Sequence, residues 1–303
     1  MTATAMFAGL SAFPLTPFAD DTIDERSFAG LIERLATAGV DSITALGSTG
    51  SGPYLTREER ARVVRVAVAN AGGTPVHVGV AALRTSDVLA NVRSAEEAGA
   101  SGILLAPMTY QPLTPDDVFE LFHAVTERTH LPVIVYDNPG TTHFTFTTEL
   151  YSRIAELPRI ASIKIPGIPA DPEGARTRLR EIRAAIPEQV TVGISGDAKA
   201  AMWLTEGTDA WYSVIGGTLP EAALRIARAA QQGRAADALA ESERLTPLWN
   251  LFAELGGSLR VVAAIAEHLG LVPDRSLPLP IQGLNEEQRA RVVEVIDDLD
   301  LRR

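Results

Sequence analysis

Two residues stand apart in a chain that uses arginine almost wherever it needs a positive charge. Of the 27 basic residues, only Lys164 and Lys199 are lysines. Arginine stays protonated in proteins, whereas a buried lysine can lose its proton and act as an amine nucleophile. Lys164 sits between Ile163 and Ile165 in an apolar run. Its side chain points either into a barrel or out towards covering helices. Both surroundings are dry, and dryness lowers an amine pKa. A neutral amine attacks a ketone to give an iminium, which withdraws electrons from the adjoining carbon. The competing reading is a structural lysine that snorkels from a strand end. Lys199 follows Ser195-Gly-Asp197 at an expected helix start and reads as a solvated residue.

Two other segments carry chemistry. The run Gly47-Ser-Thr-Gly-Ser-Gly52 offers backbone N–H groups and the hydroxyls of Ser48 and Thr49. Such a nest suits a carboxylate or a phosphate. It lacks the Gly-Lys-Ser/Thr ending of a nucleotide-binding P-loop, and an ordinary glycine-rich turn would look the same. Tyr136 ends another apolar run; it serves either as a proton relay or as one more half-buried aromatic.

Composition narrows the field. There is no cysteine, which excludes disulfides, thiolate zinc sites and cysteine nucleophiles. The five histidines, His77, His123, His130, His143 and His268, show no metal-ligand spacing, so no protein-bound metal is expected. A net charge of -11 argues against nucleic acid and anionic membrane surfaces as partners, though not against a small anionic substrate. No apolar run approaches the roughly 20 residues of a membrane span. The segment from Met1 to Phe7 lacks the basic and apolar parts of a signal peptide, and a cytoplasmic location is expected.

The chemistry-bearing residues fall at the ends of short apolar runs. These are Ser11–Pro14, Ser42–Leu46, Val76–Val80, Gly102–Leu105, Val133–Tyr136, Ala161–Ile165, Thr191–Ile194 and Ala210–Val214. Most are followed by segments of helical periodicity, such as Arg26–Ala38, Arg57–Asn70, Ser86–Ala98, Pro115–Thr129 and Glu173–Ile186. Thr56-Arg-Glu-Glu59 is a capping box, Thr85, Thr114 and Thr147 are expected N-caps, and Gly39 and Gly99 are expected helix stops. About eight strand–helix units without a long linker predict an α/β fold, a (β/α)8 TIM barrel. An open dinucleotide-binding sheet is disfavoured because Pro14-Leu-Thr-Pro17 follows the first strand. After residue 232 the strand pattern stops. Ala235–Glu254, Leu259–Leu269 and Glu286–Leu299 then read as three helices. The expected division is a catalytic barrel over 1–232 and a C-terminal helical extension over 233–303.

Together these segments resemble a known family. Phe13-Pro-Leu-Thr-Pro-Phe18 with Ile23-Asp24, Gly47-Ser-Thr-Gly50, Tyr136-Asp-Asn-Pro139, Ile163-Lys164 and Ser195-Gly-Asp197 occur in order at suitable spacing. The chain is similar to the dihydrodipicolinate synthase / N-acetylneuraminate lyase family of Schiff-base aldolases, from about residue 8 to about residue 300. The resemblance implies a homotetramer, or a dimer, with no external cofactor. It implies that Lys164 forms the Schiff base, that Tyr136 shuttles protons, and that Ser48 and Thr49 hold the oxo-acid carboxylate. On this basis the expected catalytic residues are Lys164, Tyr136 and Tyr110. The expected substrate contacts are Gly47, Ser48, Thr49, Thr109, Thr141, Gly196, Ser213 and Val214.

The departures from the family pattern are as informative. Gly50 is followed by Ser51 where the family usually has Glu. Gly140-Thr-Thr-His143 holds no Arg where the synthases carry one for the second substrate's carboxylate. Ile165 follows the lysine where an acidic residue is usual. Pro107 is followed by Met108 and Thr109, so that Thr109 stands where the family has the second tyrosine of a pair that completes a proton relay, and Tyr110 is displaced by one. The pyruvate half of the site is therefore expected to be kept. The other half is expected to be rebuilt from Thr109, Tyr110, Thr141, Thr142, His143 and Ile168. The expected activity is a Schiff-base lyase or aldolase that takes pyruvate or a related 2-oxo acid and an aldehyde. The alternatives are a dehydratase of a sugar-derived 2-oxo acid, 4-hydroxy-tetrahydrodipicolinate synthase, and a non-catalytic oxo-acid-binding protein. A metal-dependent aldolase is disfavoured by the absent ligand cluster.

Overall fold

A computed structural model describes residues 6–302; Met1–Ala5, on which part of the signal-peptide expectation rests, lie outside it. The chain begins with β1 (Gly9–Ala12) and a small hairpin of β2 (Phe18–Ala19) and β3 (Thr22–Ile23). The hairpin was not expected. Its turn is Asp20-Asp21, both at positive φ, a conformation that aspartate tolerates better than most residues. Seven more strands follow: β4 (Ser42–Ala45), β5 (Val76–Gly79), β6 (Gly102–Leu105), β7 (Val133–Tyr136), β8 (Ile160–Ile165), β9 (Thr191–Ile194) and β10 (Ala210–Ser213). Eight parallel strands close in the order β1-β10-β9-β8-β7-β6-β5-β4, which is the expected TIM barrel.

Helices cover the barrel: α1 (Glu25–Ala38), α2 (Arg57–Asn70), α3 (Thr85–Glu97), α4 (Pro115–Thr126), the short α5 (Pro139–Thr142), α6 (Thr148–Ala155), α7 (Pro172–Ala185), α8 (Asp197–Thr205) and α9 (Pro220–Gln231). The capping box at Thr56 and the caps at Thr114 and Thr147 form as expected. Thr85 does not cap; it is the first helical residue, after Arg84 in extended conformation. Gly39 takes the left-handed C-terminal position that only glycine adopts cheaply.

The C-terminal region departs from expectation in one respect. The segment Ala235–Glu254 forms two helices, α10 (Ala235–Arg244) and α11 (Thr246–Glu254), rather than one. Pro247 explains the break, because it lacks an N–H and fits only the first turn of a helix. Two further helices, α12 (Ser258–His268) and α13 (Glu286–Asp298), complete the chain. Helix α10 lies on α8 and α9, and α11 bridges α8 to α12 and α13. Leu15 and Leu31 of the barrel region bury Ala266 and Val272. That contact fixes the end of α12 and the segment after it against the barrel.

Side chains alternate between two cores, as the period of two along a strand demands. Ile103, Leu105, Val133, Val135, Ile163, Ile165 and Trp211 face outward into the layer shared with the helices. Phe7, Phe13, Leu104, Ile134, Tyr136 and Tyr212 fill the barrel interior. Lys164 alternates with Ile163 and Ile165 and therefore faces inward.

Candidate active site

Lys164 rises inside the barrel near the carboxyl ends of the strands, where barrel enzymes place their sites. It is 3% exposed. Its Nζ lies 4.0 Å from the centre of the Phe13 ring, 4.2 Å from that of Tyr136 and 5.8 Å from that of Tyr212. Among the described residues it forms no ion pair within 4 Å. Burial holds its amine below the ordinary lysine range, against the attraction of Tyr136 and Asp197.

Tyr136 is the neighbour of Lys164 in strand register, as is Gly193 on the other side. A Cβ at Gly193 would lie 2.3 Å from the Tyr212 ring, so the floor has no room for one more carbon there. The Tyr136 oxygen lies 3.3 Å from Ser48 Oγ and accepts a hydrogen bond from Asn138 Nδ2 at 2.8 Å. Burial acts to raise its pKa. The Lys164 charge and the hydrogen bonds with Ser48 and Asn138 outweigh it and hold the phenol below its ordinary value. Tyr212 lies farther from Lys164; burial pushes its phenol up, and its hydroxyl donates to Ser162 at 2.7 Å.

The glycine-rich loop owes its shape to buried partners. Leu46 and Ser51 both take positive φ, and a Cβ at Gly50 or Gly52 would come within 3 Å of the Leu46 backbone. Arg60 reaches beneath the loop from α2 and donates to the carbonyls of Gly52 at 2.5 Å and Gly79 at 2.6 Å. Thr16 donates to Gly50 O at 2.8 Å. Nothing in the local sequence announced Arg60 as this anchor; only its place one turn into α2 brings it there.

Asp197 holds the far side. Its buried carboxylate accepts from Trp211 Nε1 at 3.0 Å, Ser213 Oγ at 3.2 Å, Val214 N at 3.2 Å and Ile215 N at 2.7 Å. Burial raises its pKa and these four donors oppose the rise. The Ser195-Gly-Asp197 motif thus clamps the end of β10 to the start of α8.

A cavity of about 500 Å³ opens above Lys164. Of the expected contacts, Gly47, Ser48, Thr49, Thr109, Thr141 and Val214 line it together with Lys164 and Tyr136. Three expected residues stand off the wall. Tyr110 is 88% exposed and points away from the cavity within one chain. Gly196 turns the chain at positive φ before α8, and Ser213 is wholly buried under Asp197. Of the residues expected to rebuild the second half, Thr109, Thr141 and Thr142 are on the wall, whereas His143 and Ile168 are not. Lys199 is half-buried, with its stem along Gly167, away from the cavity. The wall also includes Asn138, Gly256, Gly257, Ser258, Leu259 and Ile281. The last five come from the C-terminal region, and only a long-range fold could reveal them. Among the described residues, Lys164 is the sole charged side chain on the wall.

Comparison with known proteins shows the family and the fold. The sequence profile of the Dihydrodipicolinate synthetase family matches residues 6–299. The chain is 31% identical over 298 residues to 4-hydroxy-tetrahydrodipicolinate synthase of Gluconacetobacter diazotrophicus, covering 97% of both chains. It is 33% identical over 246 residues to the protein of the same name from Hyphomonas neptunium, covering 80% of this chain and 82% of that one. Among solved structures, a dihydrodipicolinate synthase from Agrobacterium tumefaciens superposes with a TM-score of 0.94 at 42% identity, over 98% of this chain and 99% of that one.

Proposed function

Because the chain belongs to the dihydrodipicolinate synthetase family, we propose that it is a Schiff-base-dependent lyase that joins or separates a 2-oxo acid such as pyruvate and an aldehyde. The observation that carries this reading is Lys164: a buried amine held below its ordinary pKa, in contact with a phenol, under a cavity. The neutral amine attacks the keto carbon of the acid. Ser48 and Thr49 hold the carboxylate through hydroxyl and backbone N–H groups. Tyr136 donates a proton to the carbinolamine hydroxyl, which leaves as water while the nitrogen lone pair closes the iminium. Loss of a methyl proton gives an enamine, whose carbon adds to the aldehyde; the reverse sequence cleaves the bond.

The wall facing the aldehyde carries Thr109, Asn138, Thr141, Thr142 and Ser258 and no cation besides Lys164. Lys164 and the Ser48–Thr49 loop are taken up by the oxo acid, and a second carboxylate would be buried without a paired charge, so this wall favours an uncharged aldehyde, hydroxylated or apolar. That separates the chain from an activity requiring a second carboxylate. The reading further places the enzyme in the cytoplasm as a homotetramer or dimer, with the exposed Tyr110 and Leu83 as apolar surface that a second copy would cover.

The test is reduction with borohydride in the presence of pyruvate, followed by peptide mass spectrometry. A pyruvyl adduct is expected on Lys164 and is expected to vanish, with all turnover, in Lys164→Ala. Absence of an adduct with pyruvate and with longer 2-oxo acids would overturn the mechanism.

A further inference from the structure

Asn138 occupies the position before α5 where an asparagine side chain ordinarily accepts from the helix backbone. Here it makes no such bond. Its Nδ2 donates instead to the Tyr136 oxygen at 2.8 Å and to Thr141 Oγ1 at 3.1 Å. Its backbone carbonyl accepts from Thr141 N and Thr142 N, both at 2.9 Å, and from Thr142 Oγ1 at 3.0 Å. One residue therefore ties the floor of the cavity to its upper wall and is itself held by five contacts.

We propose that Asn138 is a positioning residue for the proton transfer of Tyr136, fixing the phenol oxygen from one side and coupling it to Thr141 on the aldehyde wall. The proposal rests on the Schiff-base reading above. A phenol oxygen has one proton and two lone pairs. Asn138 occupies one lone pair, and Ser48 at 3.3 Å is the remaining hydroxyl partner. The phenol proton is thereby kept from pointing towards α5. When that proton leaves with the carbinolamine hydroxyl, the phenolate that remains still accepts from the Asn138 amide. A donor to the charged form favours that form, so Asn138 lowers the barrier to giving the proton up. Ser48 can donate or accept and cannot enforce the same direction.

The experiment needs no knowledge of the aldehyde. Exchange of the pyruvate methyl protons for deuterium is followed by NMR across pH in wild type, Asn138→Ala and Asn138→Asp, with borohydride trapping on Lys164 alongside. Asn138→Ala is expected to slow exchange by about tenfold. Pyruvate affinity should stay within about threefold, because the carboxylate contacts are untouched. The alkaline limb of the profile should move up by as much as about one pH unit, and further in Asn138→Asp, whose carboxylate can only accept. In a Tyr136→Phe background, Asn138→Ala should cost nothing further, since its partner oxygen is gone. An unshifted alkaline limb in both variants, or a cost that persists beside Tyr136→Phe, would overturn the role of Asn138. Wild type that neither exchanges nor traps would instead overturn the Schiff-base reading itself.

Discussion

The two sides of the cavity are built from different materials. Lys164 and Tyr136 stand on adjacent barrel strands in direct register, and the loop beside them is pinned by Arg60 and Thr16. Thr109, Thr141 and Thr142 stand on connections above the barrel, and Gly256 to Leu259 come from the start of α12, far along the chain. The first side holds its groups at distances set by sheet hydrogen bonding, which proton transfer and amine attack require. The second side is made of segments whose exchange leaves the sheet intact, and it decides what lies next to the enamine. Lys164, Tyr136, Ser48 and Thr49 stand on the first side, whereas the position without an arginine, Thr141, and the displaced Tyr110 belong to connections of the second.

The sharpest way to break that contrast is at the fixed side. Tyr136→Phe should lower kcat by about 10²–10⁴-fold with little change in pyruvate binding, as loss of a general acid does. A change of only a few-fold in steady-state kinetics would show that the phenol is not the proton carrier.

A smaller effect tests what supports Tyr136 from behind. Asp137 follows it, buried and accepting from Tyr151, with burial pushing its carboxyl up to about 6 despite Tyr151 and Arg178. Its folded pKa lies above the unfolded value of roughly 3.9. The ionised form is therefore the penalised one, and stability should fall as pH rises from about 4 to about 6, by about 2–3 kcal/mol from this group. Denaturant titrations at several pH values should show that slope in wild type and its loss in Asp137→Asn. An unchanged slope would assign it to other groups.

On the variable side, Thr141→Arg adds a second cation to a wall whose described residues include Lys164 alone. It should raise kcat/KM for an anionic aldehyde relative to a neutral one by about tenfold or more, while borohydride with pyruvate still traps the adduct on Lys164. Equal ratios in both proteins would mean that this wall does not meet the aldehyde. The smallest effect is expected from Leu259→Ala, about a three- to tenfold rise in KM for the aldehyde alone, from lost apolar contact. A parallel loss of pyruvate binding would show that the C-terminal wall also supports the fixed side.

The contrast also governs what could be read from sequence. The strands, most caps and the sites at strand ends follow from local periodicity, and Lys164 was conspicuous because lysine is otherwise nearly absent. Its direction was not legible. A parallel strand is buried on both faces, so Ile163 and Ile165 give no clue to which face is the interior. The break between α10 and α11 was legible in Pro247, whose meaning the strong apolar periodicity around it overrode. Arg60 looked like any other helical arginine. The wall contributed by Gly256 to Leu259 and Ile281 depends on packing across the whole chain, which no window of sequence contains. Tyr110 was placed by analogy with a neighbouring position, and the backbone turns its ring outward.

Gly193 carries a consequence for anyone who would redesign this enzyme. Even a methyl group there would collide with Tyr212, directly beside the reactive amine. An added carbon at this point of the floor forces Tyr212 or the backbone to move, at a cost of about 1–3 kcal/mol in stability. Open volume lies upward, towards Thr109 and the α12 entrance, and a library confined to those positions can vary the acceptor while the contacts of Lys164 and Tyr136 are kept.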